Sequence, residues 1–314
     1  MNDDIPRWTI EDRHIEHARR IIATHALRTP RVPATAIDPR LYLKLETAQR
    51  TGSFKVRGAL SRLAAMDEAE RARGAVAASA GNHGLGVAFA AGPLRIPAAV
   101  VVPETISPAK LQRLASSGVE LIRVEGGYDD AESRARALAE ERGAVFVSPY
   151  DDPWVAAGNG ATLGEELLAG AHFERVVAPL GGGGLMTGLA AARDRHRGAL
   201  GRVHLIGVQS EACPAYARSI EAGQAVERMR GEPTLAEGLE GGMSQTTFHH
   251  VRAAVEGVEL VSEAAIAAAM DFARRRLGLV VEGSGAVGLA WALERAGRLP
   301  GQGPIAIVVT GGNL

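Results

Sequence analysis

Only three lysines, Lys44, Lys55 and Lys110, stand among the 35 Lys and Arg residues of this chain, and one lies between glycines in Thr51-Gly52-Ser53-Phe54-Lys55-Val56-Arg57-Gly58. The glycines allow a tight turn, Phe54 supplies an apolar wall, and Lys55 stands where a helix would begin. An ammonium withdrawn from bulk water has a depressed pKa, and the neutral amine is a nucleophile able to form a Schiff base. A second segment, Gly181-Gly182-Gly183-Gly184-Leu185, follows the buried-strand pattern Val176-Val177-Ala178-Pro179-Leu180 and precedes a helical pattern from Met186 to Arg193. Such a turn presents bare N–H groups at a helix N-terminus, where anions are held. It has neither the trailing Gly-Lys-Ser/Thr of a nucleotide loop nor the spaced glycines and downstream acid of a dinucleotide fingerprint, so a compact monophosphate is the fitting anion.

A nucleophilic lysine and a phosphate cradle together point to pyridoxal phosphate. Two further segments extend the site. Ser79-Ala80-Gly81-Asn82-His83-Gly84 follows the apolar run Gly74 to Ala78 and opens a helix rich in Gly and Ala, so its N–H groups and polar side chains can converge on a carboxylate or a ring hydroxyl. Near the C-terminus, Ile305 to Val309 reads as a buried strand ending in Thr310-Gly311-Gly312-Asn313. Ligands of open α/β sheets sit beyond the carboxyl ends of the strands, so these loops belong to one functional edge.

The elements that must position those loops alternate along the chain. Thr9-Ile10-Glu11-Asp12 reads as a capping box opening a helix to about His25. Strand patterns follow at Leu41 to Leu45, Gly74 to Ser79, Ala98 to Pro103, Glu120 to Val124, Ala144 to Val147, Val176 to Leu180, His204 to Val208 and Ile305 to Val309, with helical patterns between them, including Ser107 to Ser117 and Asp129 to Arg142. This alternation predicts an α/β fold with parallel sheets flanked by helices. No linker and no fixed-period repeat interrupts it.

Taken together, the motifs resemble those of the fold-type II pyridoxal-phosphate enzymes, in the serine/threonine dehydratase (threonine ammonia-lyase) and serine racemase family, and the likeness runs from Thr29-Pro30 to Asn313. Ser53 to Gly58 is similar to the family's Schiff-base motif, Ser79 to Gly84 to its substrate and ring loop, and Gly181 to Leu185 to its phosphate loop. The resemblance implies a tryptophan synthase β-like fold of two lobes, a large cofactor domain of residues 1–50 and 151–314 and a small domain of residues 51–150. It implies Lys55 as catalytic lysine, with Phe54, Asn82, Gly181, Gly182, Gly183, Gly184, Leu185, Glu282 and Thr310 around the cofactor. Ser79, Ala80, Gly81, Asn82, His83 and Gly238 would border the substrate. The implied reaction is β-elimination from a β-hydroxy amino acid such as L-threonine or L-serine, giving a 2-keto acid and ammonia, in a homodimer. A racemase, or a lyase for a larger hydroxy amino acid such as hydroxyaspartate, phenylserine or a hydroxyectoine-derived compound, is the alternative. The loop Thr234 to Gly242 departs from the family's wording and bears on that choice. Metal-dependent members carry acidic ligands after the strand matching Leu205 to Val208; here Gln209 and Ala215 replace them and only Glu211 remains, so no metal is expected. The chain stops within two residues of Gly312, so the regulatory domain that biosynthetic threonine dehydratases append is not expected.

Plainer readings stand beside these. Lys55 could be a surface lysine, and the four glycines only a tight connection. His83 is either a satisfied helix-start histidine or a substrate contact. Glu282 is either a helix-start acid or a carboxylate beside the cofactor, and Thr310 either ends a strand or faces the pyridine nitrogen. Composition excludes other classes. A net charge of -1 with scattered arginines lacks a nucleic-acid footprint. There is no apolar run of membrane-spanning length, the start Met1-Asn2-Asp3-Asp4 is not a signal peptide, and the single cysteine, Cys213, fits a reducing cytoplasm.

Overall fold

The computed structural model describes residues 6–196, 203–229 and 231–314, and two sheets organise them. The larger has the order β1-β2-β10-β7-β8-β9, formed by β1 (Arg31–Pro33), β2 (Leu41–Leu45), β7 (Arg175–Pro179), β8 (His204–Ser210), β9 (Gly257–Val261) and β10 (Ile305–Val309). All its neighbours run parallel except β1 and β2. The smaller sheet, β5-β4-β3-β6, is wholly parallel and comprises β3 (Ala75–Ala78), β4 (Ala98–Pro103), β5 (Glu120–Val124) and β6 (Val145–Phe146). This is the α/β architecture expected from the alternation.

Parallel strands covered on both faces read as unbroken apolar runs, and β10 shows it best: all five of its residues are buried. Side chains of a strand alternate between faces. Ile305, Ile307 and Val309 accordingly join one core with Leu41, Leu43 and Trp291, while Ala306 and Val308 join another with Phe173, Leu189 and Phe248. The insertion of β10 between β2 and β7 decides the site, because it places the C-terminal segment between the lysine turn that follows β2 and the glycine loop that follows β7.

Two strands escaped the sequence reading, and both are edges. β1 has three residues, none of them buried, and ends in Pro33, which an edge strand tolerates because one side needs no donor. β9 carries Glu259 and is only half-buried along most of its length. Neither supplies the continuous apolar run that marks an inner strand. The capping box is also corrected: the first helix is Asp12–His25, its N-cap is Glu11, and the Glu11 N–H donates to His14 Nδ1 at 2.9 Å. Asp12 is one methylene shorter than the glutamate a box opened by Thr9 would need, whereas the His14 ring reaches back easily. No helix among the described residues is long and apolar enough to cross a membrane.

Candidate active site

Lys55 is the first residue of the helix Lys55–Ala64. The preceding turn is stitched to the end of β10: Phe54 N–H donates to Thr310 O at 3.0 Å, Gly312 N–H to Gly52 O at 3.0 Å, and Ser53 forms a bridge with Gly311. Gly52 adopts φ 71°, which a side chain would disfavour. From this seat Lys55 Nζ donates to Pro149 O at 2.9 Å and lies 5.1 Å from the centre of the Phe54 ring. Burial of the amine lowers its pKa to about 8 against the opposing pull of the Glu282 charge. The residue as a whole is only half-buried, so the desolvated amine lies near the surface of the cleft.

The other side of the same helix is fixed by charge. Residues two apart on a helix point about 200° from one another, so Arg57 turns inward as Lys55 turns to the cleft. Arg57 Nε and Nη2 donate to the two oxygens of Glu46 at 2.8 and 2.9 Å, and Nη1 and Nη2 to those of Glu166 at 2.7 and 2.9 Å. Lys44 Nζ donates to Glu166 at 2.6 Å and to Thr29 O at 2.8 Å, and the Thr29 hydroxyl donates to Glu46 at 2.5 Å. The group is charge-balanced, and Arg57 and Glu46 are fully buried.

Beyond β3, Ser79 to Gly81 lead into the helix Asn82–Leu94. Ser79 Oγ accepts from Gly81 N–H at 3.0 Å, and a Cβ built on Gly81 would meet nothing within 4 Å, so this turn borders open space. Asn82 lies between two segments far away in sequence: its Nδ2 donates to Glu282 at 2.6 Å and its Oδ1 accepts from Asn313 Nδ2 at 2.7 Å. Glu282 is the N-cap residue of the helix Gly283–Glu294, as its helix-start reading expects, and its bond from Asn82 sets it among the other candidate residues. Burial raises its pKa to about 7, although the Asn82 amide opposes the shift.

The His83 side chain faces the interior. Its Nε2 lies 2.9 Å from Val147 O, and since a carbonyl can only accept, Nε2 carries the proton. Nδ1 is then a bare, buried acceptor with no partner among the described residues. Burial, with the Lys55 charge adding to it, lowers the imidazole pKa to about 3, so His83 is neutral and unsuited to act as an acid. Any substrate contact by His83 falls to its backbone N–H.

The helix Gly184–Arg195 starts two residues before the Met186 of the sequence reading, so the last glycine of the run is itself helical. Gly183 sits at φ 90°. A Cβ on Gly182 would lie 2.4 Å from the Tyr150 ring, and one on Gly184 2.7 Å from Tyr150 O. Gly182 and Gly184 are thus required by close approach and Gly183 by turning, while a Cβ on Gly181 would meet its nearest neighbour, Leu239, only at 3.3 Å. Pro149 accepts from the lysine and Tyr150 packs on the loop, so two consecutive residues bring the amine and the glycine loop together. The first-turn N–H groups of the helix lack intrahelical acceptors and form an anion cradle. These residues fit a phosphate-bearing aldehyde: an amine of lowered pKa, a glycine cradle that side chains would obstruct, and the polar cluster of Asn82, Glu282 and Asn313. Gly238 adjoins the same loop, because Gly238 N–H donates to Ser284 Oγ at 2.8 Å and Leu239 packs against Gly181. Lys110 makes an ion pair with Glu237 beside it.

Thr310 directly follows β10 and is buried, and its carbonyl takes the Phe54 bond. Near the end of β8 Gln209 is fully buried, and beyond the strand Glu211 is exposed and Ala215 begins the helix Ala215–Ala222. No group of three or more His, Cys, Asp or Glu able to hold a metal occurs among the described residues. The sequence reading missed Pro149, Tyr150 and the Arg57 clamp. Two signals were present: Lys44 is one of the three lysines, and Arg57 stands within the lysine motif itself.

The family profile described as "Pyridoxal-phosphate dependent enzyme" matches residues 22–311. The chain is 39% identical over 313 residues to the L-threonine ammonia-lyase of Thermotoga maritima, covering 98% of this chain and 76% of that one. Its fold superposes on maize serine racemase with a TM-score of 0.88 at 30% identity, covering 98% of this chain and 94% of that one. The processed form of threonine deaminase isoform 2 from Solanum lycopersicum gives a TM-score of 0.86 at 27% identity, with 99% of this chain and 93% of that one covered.

Proposed function

Because this chain belongs to the pyridoxal-phosphate-dependent enzyme family, we propose that it is an ammonia-lyase converting a β-hydroxy amino acid such as L-threonine or L-serine to a 2-keto acid and ammonia. Pyridoxal phosphate is the cofactor. When bound, it supplies an electron sink for the charge left at the substrate Cα. Lys55 would anchor it, the N–H groups of Gly181 to Leu185 would hold its phosphate, and Phe54, Asn82, Glu282 and Thr310 would border its ring. Asn82 can serve because its Nδ2 has a second proton beyond the one given to Glu282.

The protein's own part in the reaction is proton transfer and orientation. With a pKa of about 8, Lys55 Nζ has a usable neutral fraction near neutral pH and is the base for the Cα proton. The substrate carboxylate is held by Ser79 and by the N–H groups of the turn Ala80, Gly81, Asn82 and His83, next to the open space at Gly81. Gly238 lies on the side-chain side. Were the Thr310 hydroxyl the group beside the ring nitrogen, a neutral partner in place of a carboxylate would favour prompt loss of the β-hydroxyl over transamination. The same reading takes residues 51–150 as a small domain set on the rest, since the second sheet falls within that range, and takes the assembly as a homodimer.

One observation carries this reading more than any other: the lysine of lowered pKa and the tetraglycine cradle meet across Pro149 and Tyr150. The test is a keto-acid and ammonia assay over a panel of β-hydroxy amino acids. Stoichiometric ammonia and keto acid from at least one of them supports the proposal. Spectroscopic binding of the amino acids without ammonia from any would refute it.

A further inference from the structure

We propose that Gln209 is a positioning residue for the cofactor phosphate, acting through the peptide group that leads into the glycine loop. The proposal rests on the reading of Gly181 to Gly184 as the phosphate cradle. The parallel ladder between β7 and β8 ends near Pro179 and Val208, and its last rung is the Leu180 N–H donating to Val208 O at 2.9 Å. Beyond that rung the chain leaves the sheet, and the next group to be held is the Leu180 carbonyl. Gln209, one residue further along β8 and 0% exposed, donates from Nε2 to that carbonyl at 2.8 Å. Its Oε1 accepts from Ala217 N–H at 3.1 Å. Ala217 is the third residue of its helix, so its N–H has no intrahelical acceptor and is a natural anchor. Both ends of the amide are thereby satisfied, and the side chain forms a buried strut between a helix start and the loop.

The consequence for the phosphate follows from peptide geometry. The Leu180 C=O and the Gly181 N–H share one planar unit, and the described chain has no cis peptide bonds. In a trans unit the two groups point in opposite directions. Holding the carbonyl therefore aims the Gly181 N–H, the first donor of the cradle. Glycine on the far side of the unit offers little resistance to rotation, so the aim depends on a bond such as this one. A glutamate at the same position could still accept from Ala217, but it would set an acceptor against the Leu180 carbonyl.

The test compares affinities for pyridoxal phosphate and for pyridoxal, which lacks the phosphate, in wild type, Gln209→Glu and Gly182→Ala, with circular dichroism confirming the fold. Gln209→Glu is expected to weaken pyridoxal phosphate about tenfold, or about 1.4 kcal/mol, and to leave pyridoxal within about twofold. An equal loss for both compounds, or no loss for either, overturns the proposal. If wild type itself does not prefer the phosphorylated compound, the cradle reading has failed; if it does, Gly182→Ala loses the preference and Gln209→Glu keeps it, only the role of Gln209 has failed. Should the glutamate variant not fold, Gln209→Asn has the same functional groups but is too short to span both bonds. Its retention of the full preference would equally overturn the proposal.

Discussion

Replacing Arg57 with methionine removes one of four clustered charges, three of them buried, and leaves Glu46 and the partly buried Glu166 facing Lys44 alone. Deleting one partner of a buried ion pair costs about 3–5 kcal/mol, because the remaining charge is stranded away from water. Set against a total stability of about 5–15 kcal/mol, that is a large fraction. Urea denaturation at fixed cofactor concentration should therefore show Arg57→Met less stable than wild type by at least about 3 kcal/mol. Arg57→Lys keeps the charge but cannot grip both carboxylates in the bidentate manner, so it should fall between the two. Adding Glu46→Gln to Arg57→Met restores one cation to one anion and should recover part of the loss. The pH dependence follows from Glu166, whose pKa lies below the ordinary value because the Arg57 bonds and the Arg57 and Lys44 charges together outweigh the raising effect of burial. A depressed carboxylate pKa gives stability that is present above the unfolded value, about 4.3, and lost as pH falls through the folded one. The gap between wild type and Arg57→Met should accordingly narrow below about pH 4. A loss under about 1 kcal/mol at pH 7, within the range of ordinary surface substitutions or surface ion pairs, would refute the view that the clamp holds the lysine helix.

Ala80→Ser should raise the fraction of D-isomer formed from an L-hydroxy amino acid, read as deuterium-labelled product in deuterated water, because it places a hydroxyl where only a methyl now stands; substantial D-isomer from wild type would show that another group protonates that face. Exhaustive chelation should leave turnover and melting temperature unchanged, since no bound cation would be contributing mass-action stability; a loss reversed by magnesium or calcium would contradict this. Glu282→Gln should leave the melting temperature nearly unchanged below about pH 4 and raise it increasingly over wild type between about pH 4 and pH 7, above which the gain levels off. Burial raises the carboxyl's pKa to about 7 in the folded protein, so the stability held below the unfolded value of about 4.3 is lost as pH rises toward the folded one, and the amide avoids that loss. An unchanged pH profile in the variant would remove Glu282 as the titrating group.

The lysine turn and the glycine loop were legible because each is a local arrangement whose chemistry shows in neighbouring residues. Inner strands were legible for the same reason, as in Ile305 to Val309, where every side chain is buried. What stayed hidden was set by distant partners. Arg57 lies inside the lysine motif, yet its meaning depends on Glu46 and Glu166, which are 11 and 109 residues away. Glu282 was readable as a helix start but not as a neighbour of Asn82, 200 residues off. The direction of the His83 ring depends on Val147, a residue of another segment. Pro149 and Tyr150 carry no reactive group, so nothing in their chemistry marked them as the link between amine and cradle. The edge strands β1 and β9 lack the covering layers that would have stamped an apolar run on them.

The central claim is that Lys55, and no other lysine, carries the cofactor. Borohydride reduction of the protein loaded with pyridoxal phosphate, followed by peptide mapping, tests it directly. The label should fall on Lys55, and Lys55→Ala should lose both the cofactor's visible absorbance band and turnover, since anchor and base disappear together. Lys44 is buried and paired with Glu166, and Lys110 is paired with Glu237. A label on either of them, or a Lys55→Ala protein that keeps the band and turns over substrate, would contradict the account.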